Sequence, residues 1–361
     1  MHYFQLNSPC LMVDPLVVKK NINEMINMIG DVNRLRPHIK THKTAEGVLL
    51  MMEAGIYKFK CATIAEAELL AANGVNDVLL AYQPVGPNIE RLFELQKKYS
   101  SVQFACLTDH TDAAKTIGDY FQQGASIMKV YVDLNVGMNR TGILPEDAFD
   151  LINFINNHPG LVFAGLHAYD GHHRQIDFHE KEIACEKGLE PVYELIEQLM
   201  AAGFYRPDLI AGGSPSFSVH CKKADRICSP GTNIFWDHGY AALCPEQHFE
   251  PAVKVLTRVV SLPAPMKICI DLGHKAVASE NEISKRIFFP SYPALKPVSQ
   301  SEEHMVLETD GNHTFKPGDA LIGIPYHICP TVALHETLHV LKGEMVDGEW
   351  KVAARKRKIN L

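Results

Sequence analysis

From about Leu11 to Tyr240, short apolar or β-branched runs alternate with stretches of helical periodicity. A period near two marks strands and a period near 3.6 marks helices. Leu11–Val13 precedes a helical pattern over Val17–Met28, Arg34–Lys40 precedes one over Thr44–Met52, and Tyr57–Ala62 precedes one over Ile64–Ala72. Asp77–Ala81, Val102–Cys106, Met128–Asp133 and Leu161–Leu166 are followed in turn by Asn88–Lys98, Thr111–Gln122, Pro145–Asn156 and Phe178–Met200. Pro207–Gly212 ends the series. Repeated βα units imply a parallel sheet, and eight β-type segments predict an α/β fold closed as a (β/α)8 TIM-type barrel. An open doubly wound sheet is the second choice, but no G-x-G-x-x-G follows an early strand.

Past Pro245 the helical period fades. Residues 1–245 are therefore read as the barrel and residues 246–361 as a mainly β C-terminal domain. Ala252–Leu262, Met266–Asp271, Ala320–Ile324 and Leu338–Val346 are its expected strands, with a two-residue hairpin turn at Asp347-Gly348 and loops over Val298–Glu303 and Asp310–Gly318.

Composition narrows the class. With 46% hydrophobic and 21% charged residues, the chain is an ordinary globular one. A net charge of -7 argues against nucleic acid as a partner. No apolar run reaches the ~20 residues of a membrane helix, and Met1–Asn7 lacks signal-peptide features. Nine scattered cysteines without a C-x-x-C pair fit reduced thiols, so a cytoplasmic protein is expected.

Barrel chemistry gathers at the C-terminal ends of the strands. Arg36-Pro37-His38-Ile39-Lys40-Thr41-His42-Lys43 is the stretch that stands out. If extended, it puts Arg36, His38 and Lys40 on one face, a costly grouping without an anionic partner. A phosphate-bearing aldehyde cofactor is such a partner, and a lysine there can form a Schiff base with pyridoxal phosphate. The plainer alternative is a solvent-facing basic strand end. Asp133 with Asn135–Gly142, the group His167, Tyr169, Asp170, His172 and His173, and Gly212–Ser216 fall at other strand ends. Gly212-Gly213-Ser214 and Ser229-Pro230-Gly231-Thr232-Asn233 both offer N–H groups and hydroxyls to a phosphate.

Two motifs resemble metal sites. His335-Glu336-Thr337-Leu338-His339 matches H-E-x-x-H, which needs a helix to bring both histidines to one face. Leading into a strand, they would lie roughly 13 Å apart, too far for one zinc. In His327-Ile328-Cys329, an extended backbone would put imidazole and thiolate on one face, and nitrogen plus sulfur favours zinc. A buried cysteine beside a hydrogen-bonded histidine is the alternative.

Taken with Gly137–Gly142, Gly213–Ser216, Pro230–Thr232, Asp271–Ala276, Ser301–His304 and His327–Val332, the Arg36–Lys43 stretch resembles the D-threonine aldolase and eukaryotic-type D-serine dehydratase group. These are fold-type III pyridoxal-phosphate enzymes with an alanine racemase N-terminal-like barrel. The resemblance covers nearly the whole chain. It implies Lys40 as the Schiff-base lysine, Arg140, Tyr169 and His38 at the cofactor, and Gly213, Ser214, Gly231 and Thr232 at its phosphate. It also implies His327 and Cys329 on a divalent metal (zinc favoured, manganese the alternative), and a homodimer in which one subunit's β domain caps the other's barrel. His172 or His173 would relay a substrate hydroxyl proton. His-x-Cys points to the dehydratases, whereas Pro330-Thr331-Val332 looks like the aldolase side. The expected activity is retro-aldol cleavage of a D-β-hydroxy amino acid of the D-threonine type. A D-serine dehydratase is the alternative, followed by a racemase and a non-catalytic cofactor-binding protein.

Overall fold

The computed structural model describes residues 1–358. Strand β1 (Cys10–Val13) and helix α1 (Pro15–Ile29) open the chain. Helices and strands then alternate: α2 (Ala45–Glu53), β2 (Lys58–Cys61), α3 (Ile64–Ala72), β3 (Asp77–Leu80), α4 (Pro87–Lys98), β4 (Gln103–Thr108), α5 (Thr111–Gln123), β5 (Met128–Leu134), α6 (Ala148–Asn157), β6 (Leu161–Ala168), α7 (Phe178–Ala201), β7 (Asp208–Ala211), α8 (Phe217–His220) and β8 (Arg226–Cys228). Local signals set several helix starts. Thr63 accepts the Glu66 N–H ahead of α3, Asp177 accepts the Glu180 N–H ahead of α7, and Pro87 takes the first position of α4.

Strands β2 to β8 form a seven-stranded parallel sheet in chain order. Residues 35–39 join its two edges. Leu35 bridges Cys228 of β8, and His38 bridges Lys60 of β2, both parallel. Leu79, Ala105, Leu107, Tyr131 and Ile210, drawn from four strands, pack into one buried cluster of this barrel.

The barrel is the expected one, with different members at its seam. Leu11–Val13 is not a barrel strand: β1 pairs with two strands of the β region instead. The final barrel strand is Arg226–Cys228, whose three residues are too few to leave a periodic signal. Arg34–Lys40 is not a regular strand either. Val32–Arg34 is a 3-10 turn, Pro37 has no N–H to donate, and Lys40 sits in a turn.

The remaining elements are α9 (His238–Leu243), β9 (Val253–Ala264), β10 (Lys267–Ile270), β11 (Ile287–Phe288), β12 (Lys296–Gln300), β13 (Met305–Glu308), β14 (Ala320–Pro325), α10 (Ile328–Leu334), β15 (Thr337–Lys342) and β16 (Met345–Lys351). With β1 these strands make a nine-stranded sheet around Leu6, Cys10, Met12 and Leu256. Lys296–Gln300 is a strand where a loop was expected. The hairpin turns at Gly343-Glu344, because Lys342 pairs with Met345 and Gly343 supplies φ +62°, while Asp347-Gly348 lies inside β16.

The chain forms two compact units whose segments interleave in sequence. Met25–Lys40 and Val48–Gly231 belong to one, while Met1–Glu24, Thr41–Gly47 and Thr232–Arg355 belong to the other.

Candidate active site

In the barrel unit, three basic side chains converge on Tyr169, just past the end of β6. Lys40 Nζ, Lys60 Nζ and the Arg140 guanidinium lie 5.7, 5.6 and 5.1 Å from its ring centroid. Two glycines make room for that ring. A Cβ at Gly213 would come within 2.5 Å of it, and one at Gly171 within 2.2 Å of its hydroxyl. The Lys40 N–H donates to His38 Nδ1 at 3.2 Å, which fixes the turn bearing the half-buried lysine. Gly231 N–H donates to Ser214 Oγ at 3.1 Å, and a Cβ at Gly231 would sit 2.9 Å from the His38 carbonyl oxygen. Arg140 follows a loop held by Asn135, whose side-chain oxygen accepts the N–H groups of Gly137 and Asn139.

This arrangement brings Lys40, His38, Arg140, Tyr169, Gly213, Ser214 and Gly231 into linked contacts. Its basic side chains, its close-approach glycines and the buried, unpartnered Ser229 hydroxyl fit an anionic, phosphorylated aromatic aldehyde. His172 and His173 lie with their rings tilted by 36° and their centroids 4.3 Å apart. His172 Nδ1 and His173 Nε2 are buried without hydrogen-bond partners, and the latter lies 3.8 Å from Asp170 Oδ2.

Asp170 anchors the loop that carries Tyr169. It accepts hydrogen bonds from Ser216 Oγ and His220 Nε2, each at 2.6 Å. His220 Nδ1 in turn accepts from Arg226 at 2.8 Å, and Arg226 forms a forked pair with Glu186. Asp170, Cys185 and His220 offer ligand atoms within 4.8 Å of one another, but His220 has both ring nitrogens engaged in this chain. Burial opposes ionisation of Asp170, yet its interactions with His220 and Ser216 outweigh it and hold the carboxyl well below its ordinary range. Asp170→Ala is expected to cost about 3–5 kcal/mol of stability, since it strips a buried network of its anion. A depressed pKa gives stability that is complete above about pH 4 and is lost as pH falls. Urea denaturation from pH 7 to pH 3 should therefore show the gap between wild type and variant closing in acid; equal stability at pH 7 would refute the assignment.

In the other unit, His327 caps α10 and Cys329 is its second residue. The pair is thus not extended, as the sequence suggested, because the helix starts between its members. Their side chains meet all the same, and hydroxyls of Thr41 and Thr232 lie 3.1 and 3.4 Å from the Cys329 sulfur. Glu280 accepts from His327 Nδ1 at 2.5 Å, the carboxylate–imidazole pattern that orients metal-binding histidines. Burial works against a charged His327 ring, but Cys329 and Glu280 raise its pKa to about 9. One imidazole nitrogen and one sulfur with a carboxylate behind them fit a thiophilic divalent ion. The H-E-x-x-H run behaves otherwise: His335 bonds the Ala276 carbonyl, and His339 faces Glu349 from strand β15.

Sequence reasoning missed Lys60, His220 and Glu280, and did not set Thr41 and Thr232 beside Cys329. Only Lys60 left a trace, as a lysine inside an otherwise buried parallel strand. The others are joined by contacts of long sequence separation.

A closed barrel with a lysine among ring-binding cations, together with a β unit bearing a metal-type pair, defines a cofactor-dependent enzyme class. Residues 13–237 match the alanine racemase N-terminal domain, and residues 252–341 match the serine dehydratase domain. The chain belongs to the alanine racemase N-terminal domain family. Over 97% of its length it is 26% identical to a 3-hydroxy-D-aspartate aldolase of Paracoccus denitrificans, covering 92% of that protein. It is 25% identical to a D-serine dehydratase of Dictyostelium discoideum, with 94% of each chain covered. A crystal structure of D-threonine aldolase from Filomicrobium marinum superposes with a TM-score of 0.88 at 25% identity, covering 98% of this chain and 96% of that one.

Proposed function

We propose that this protein is a pyridoxal-phosphate-dependent lyase for D-β-hydroxy amino acids, cleaving D-threonine-type substrates to glycine and an aldehyde. The observation that carries the reading is the convergence of Lys40, Lys60 and Arg140 on Tyr169 in a barrel of this family. When bound, the cofactor supplies an aldehyde for the Lys40 amine and a ring that withdraws electrons from the substrate's α-carbon. Tyr169 supports that ring, Arg140 contributes a fixed charge beside it, and His38 holds the turn that aims Lys40. Gly213, Ser214, Gly231 and Thr232 hold the phosphate through N–H groups and hydroxyls. His327 and Cys329 hold a divalent metal, which supplies Lewis acidity to a hydroxyl oxygen. His172 Nδ1 or His173 Nε2 takes up the hydroxyl proton. Zinc as that metal (manganese the alternative), a homodimer and a cytoplasmic setting complete the reading; nine cysteines with no disulfide support the last.

The match of residues 252–341 to a serine dehydratase domain favours one second reading, elimination of water from D-serine followed by its hydrolytic return, for a net conversion to pyruvate and ammonia. Product analysis separates the two. Acetaldehyde with glycine from D-threonine is the expected result, and pyruvate with ammonia from D-serine, without aldehyde from D-threonine, would replace it.

A further inference from the structure

Lys60 is the group the reading above leaves without a task. It lies on β2, yet its Nζ meets His167 Nε2 of β6 at 2.9 Å. Three strands separate β2 from β6 in the sheet, so the side chain reaches across the barrel. His167 Nδ1 lies 2.6 Å from Asp133 Oδ1 on β5, and Thr141 donates to the other oxygen of that carboxylate at 2.8 Å. A carboxylate only accepts, so His167 carries a proton on Nδ1, and burial, which lowers its pKa, keeps the ring neutral and leaves Nε2 as an acceptor. The polarity of the chain is therefore fixed: Lys60 donates to His167, and His167 donates to Asp133. All three residues are buried.

We propose that Asp133, His167 and Lys60 form a proton relay in which the Lys60 amine takes a proton from the amino group of an incoming amino acid and returns it to the departing one. An amino acid arrives as an ammonium, whose nitrogen has no lone pair and attacks no carbonyl carbon. Transfer of one proton from that ammonium to the Lys60 amine leaves a nucleophilic amine and a lysine ammonium. The reverse transfer to the product amine restores the start, so protons balance over the cycle. The relay rests on the cofactor reading, because only an aldehyde beside Tyr169 gives the freed amine something to attack.

The surroundings suit the task. Burial, then the charges of Lys40, Arg36 and Arg140, push the Lys60 amine down to about 7 against the pull of Asp133. On the adjoining strand β3 its register partner is the apolar Leu79, and across the barrel it faces His167 and the Tyr169 ring. An ammonium formed at Lys60 is stabilised through His167 by the Asp133 carboxylate, as an oriented base pair stabilises charge in other relays.

Lys60→Arg keeps the charge and a donor to His167 but holds its proton permanently. It is expected to retain the visible absorbance of the bound cofactor while kcat/KM on D-threonine falls about 10²-fold. The acid limb of the pH profile, centred near 7 in the native enzyme, should move to higher pH, since only substrate already lacking its ammonium proton then reacts. Protein as purified, labelled with 13C at lysine Cε, should show one lysine titrating near pH 7 that is missing from Lys60→Met. A cofactor-loaded Lys60→Arg with an unchanged profile, or a native spectrum in which every lysine titrates above pH 9, overturns the relay. A native protein that binds no pyridoxal phosphate overturns instead the reading on which the relay rests, and the lysine spectrum then still reports whether Lys60 is the low-pKa amine.

Discussion

Lys40→Ala is expected to leave the protein colourless in pyridoxal phosphate and to lower turnover of D-threonine by at least about 10³-fold, some 4 kcal/mol of barrel chemistry. Three lysines are candidates by sequence or position, and their settings differ. Lys40 occupies a turn pinned by His38 and presents its amine to the Tyr169 ring. Lys43 has a left-handed backbone (φ 54°), and its carbonyl takes the Ala354 N–H. Lys60 is committed to His167 across the barrel. Borohydride reduction of the native holoenzyme should therefore fix the cofactor on Lys40 alone, read by peptide mass. Colour that persists in the variant, or a label on another side chain, would remove the basis of the proposed function.

Exhaustive chelation is expected to reduce activity by about 10²-fold or more, with recovery on adding zinc or manganese; Cys329→Ala should lose both the bound metal and that recovery. Metal content by mass spectrometry checks the binding independently of turnover. The pH dependence has a definite sign. His327 gains its proton from a setting that raises its pKa to about 9, and that proton must leave before the ring binds a metal. Apparent metal affinity should thus fall steadily as the solution is made more acidic, and uptake at neutral pH should release protons. Full activity after chelation, with no metal found, would reassign His327 and Cys329 to a structural role.

Residue order alone determined the repeating βα architecture, nearly every helix limit between α1 and α7, and the change to a β region after the barrel. It did so because a 3.6-residue or two-residue period records which side of an element avoids water. The same pattern does not say what lies against that side. Leu11–Val13 is buried all round and suits either sheet; only pairing with Val253–Leu256 and Leu338–Val340 decided its membership. Lys40 and Arg140 stood out in the sequence because each falls in a local turn or loop at the rim, and the structure sets both beside Tyr169. The His327–Cys329 contact was legible as a pair, although its backbone was not, since a helix that starts between two residues leaves no period to read. Lys60 with His167, and Asp170 with His220, stand 107 and 50 positions apart. Closure of the barrel alone brings such partners to hydrogen-bonding distance, where burial and shared charge give their acids and bases strengths that no isolated segment would have.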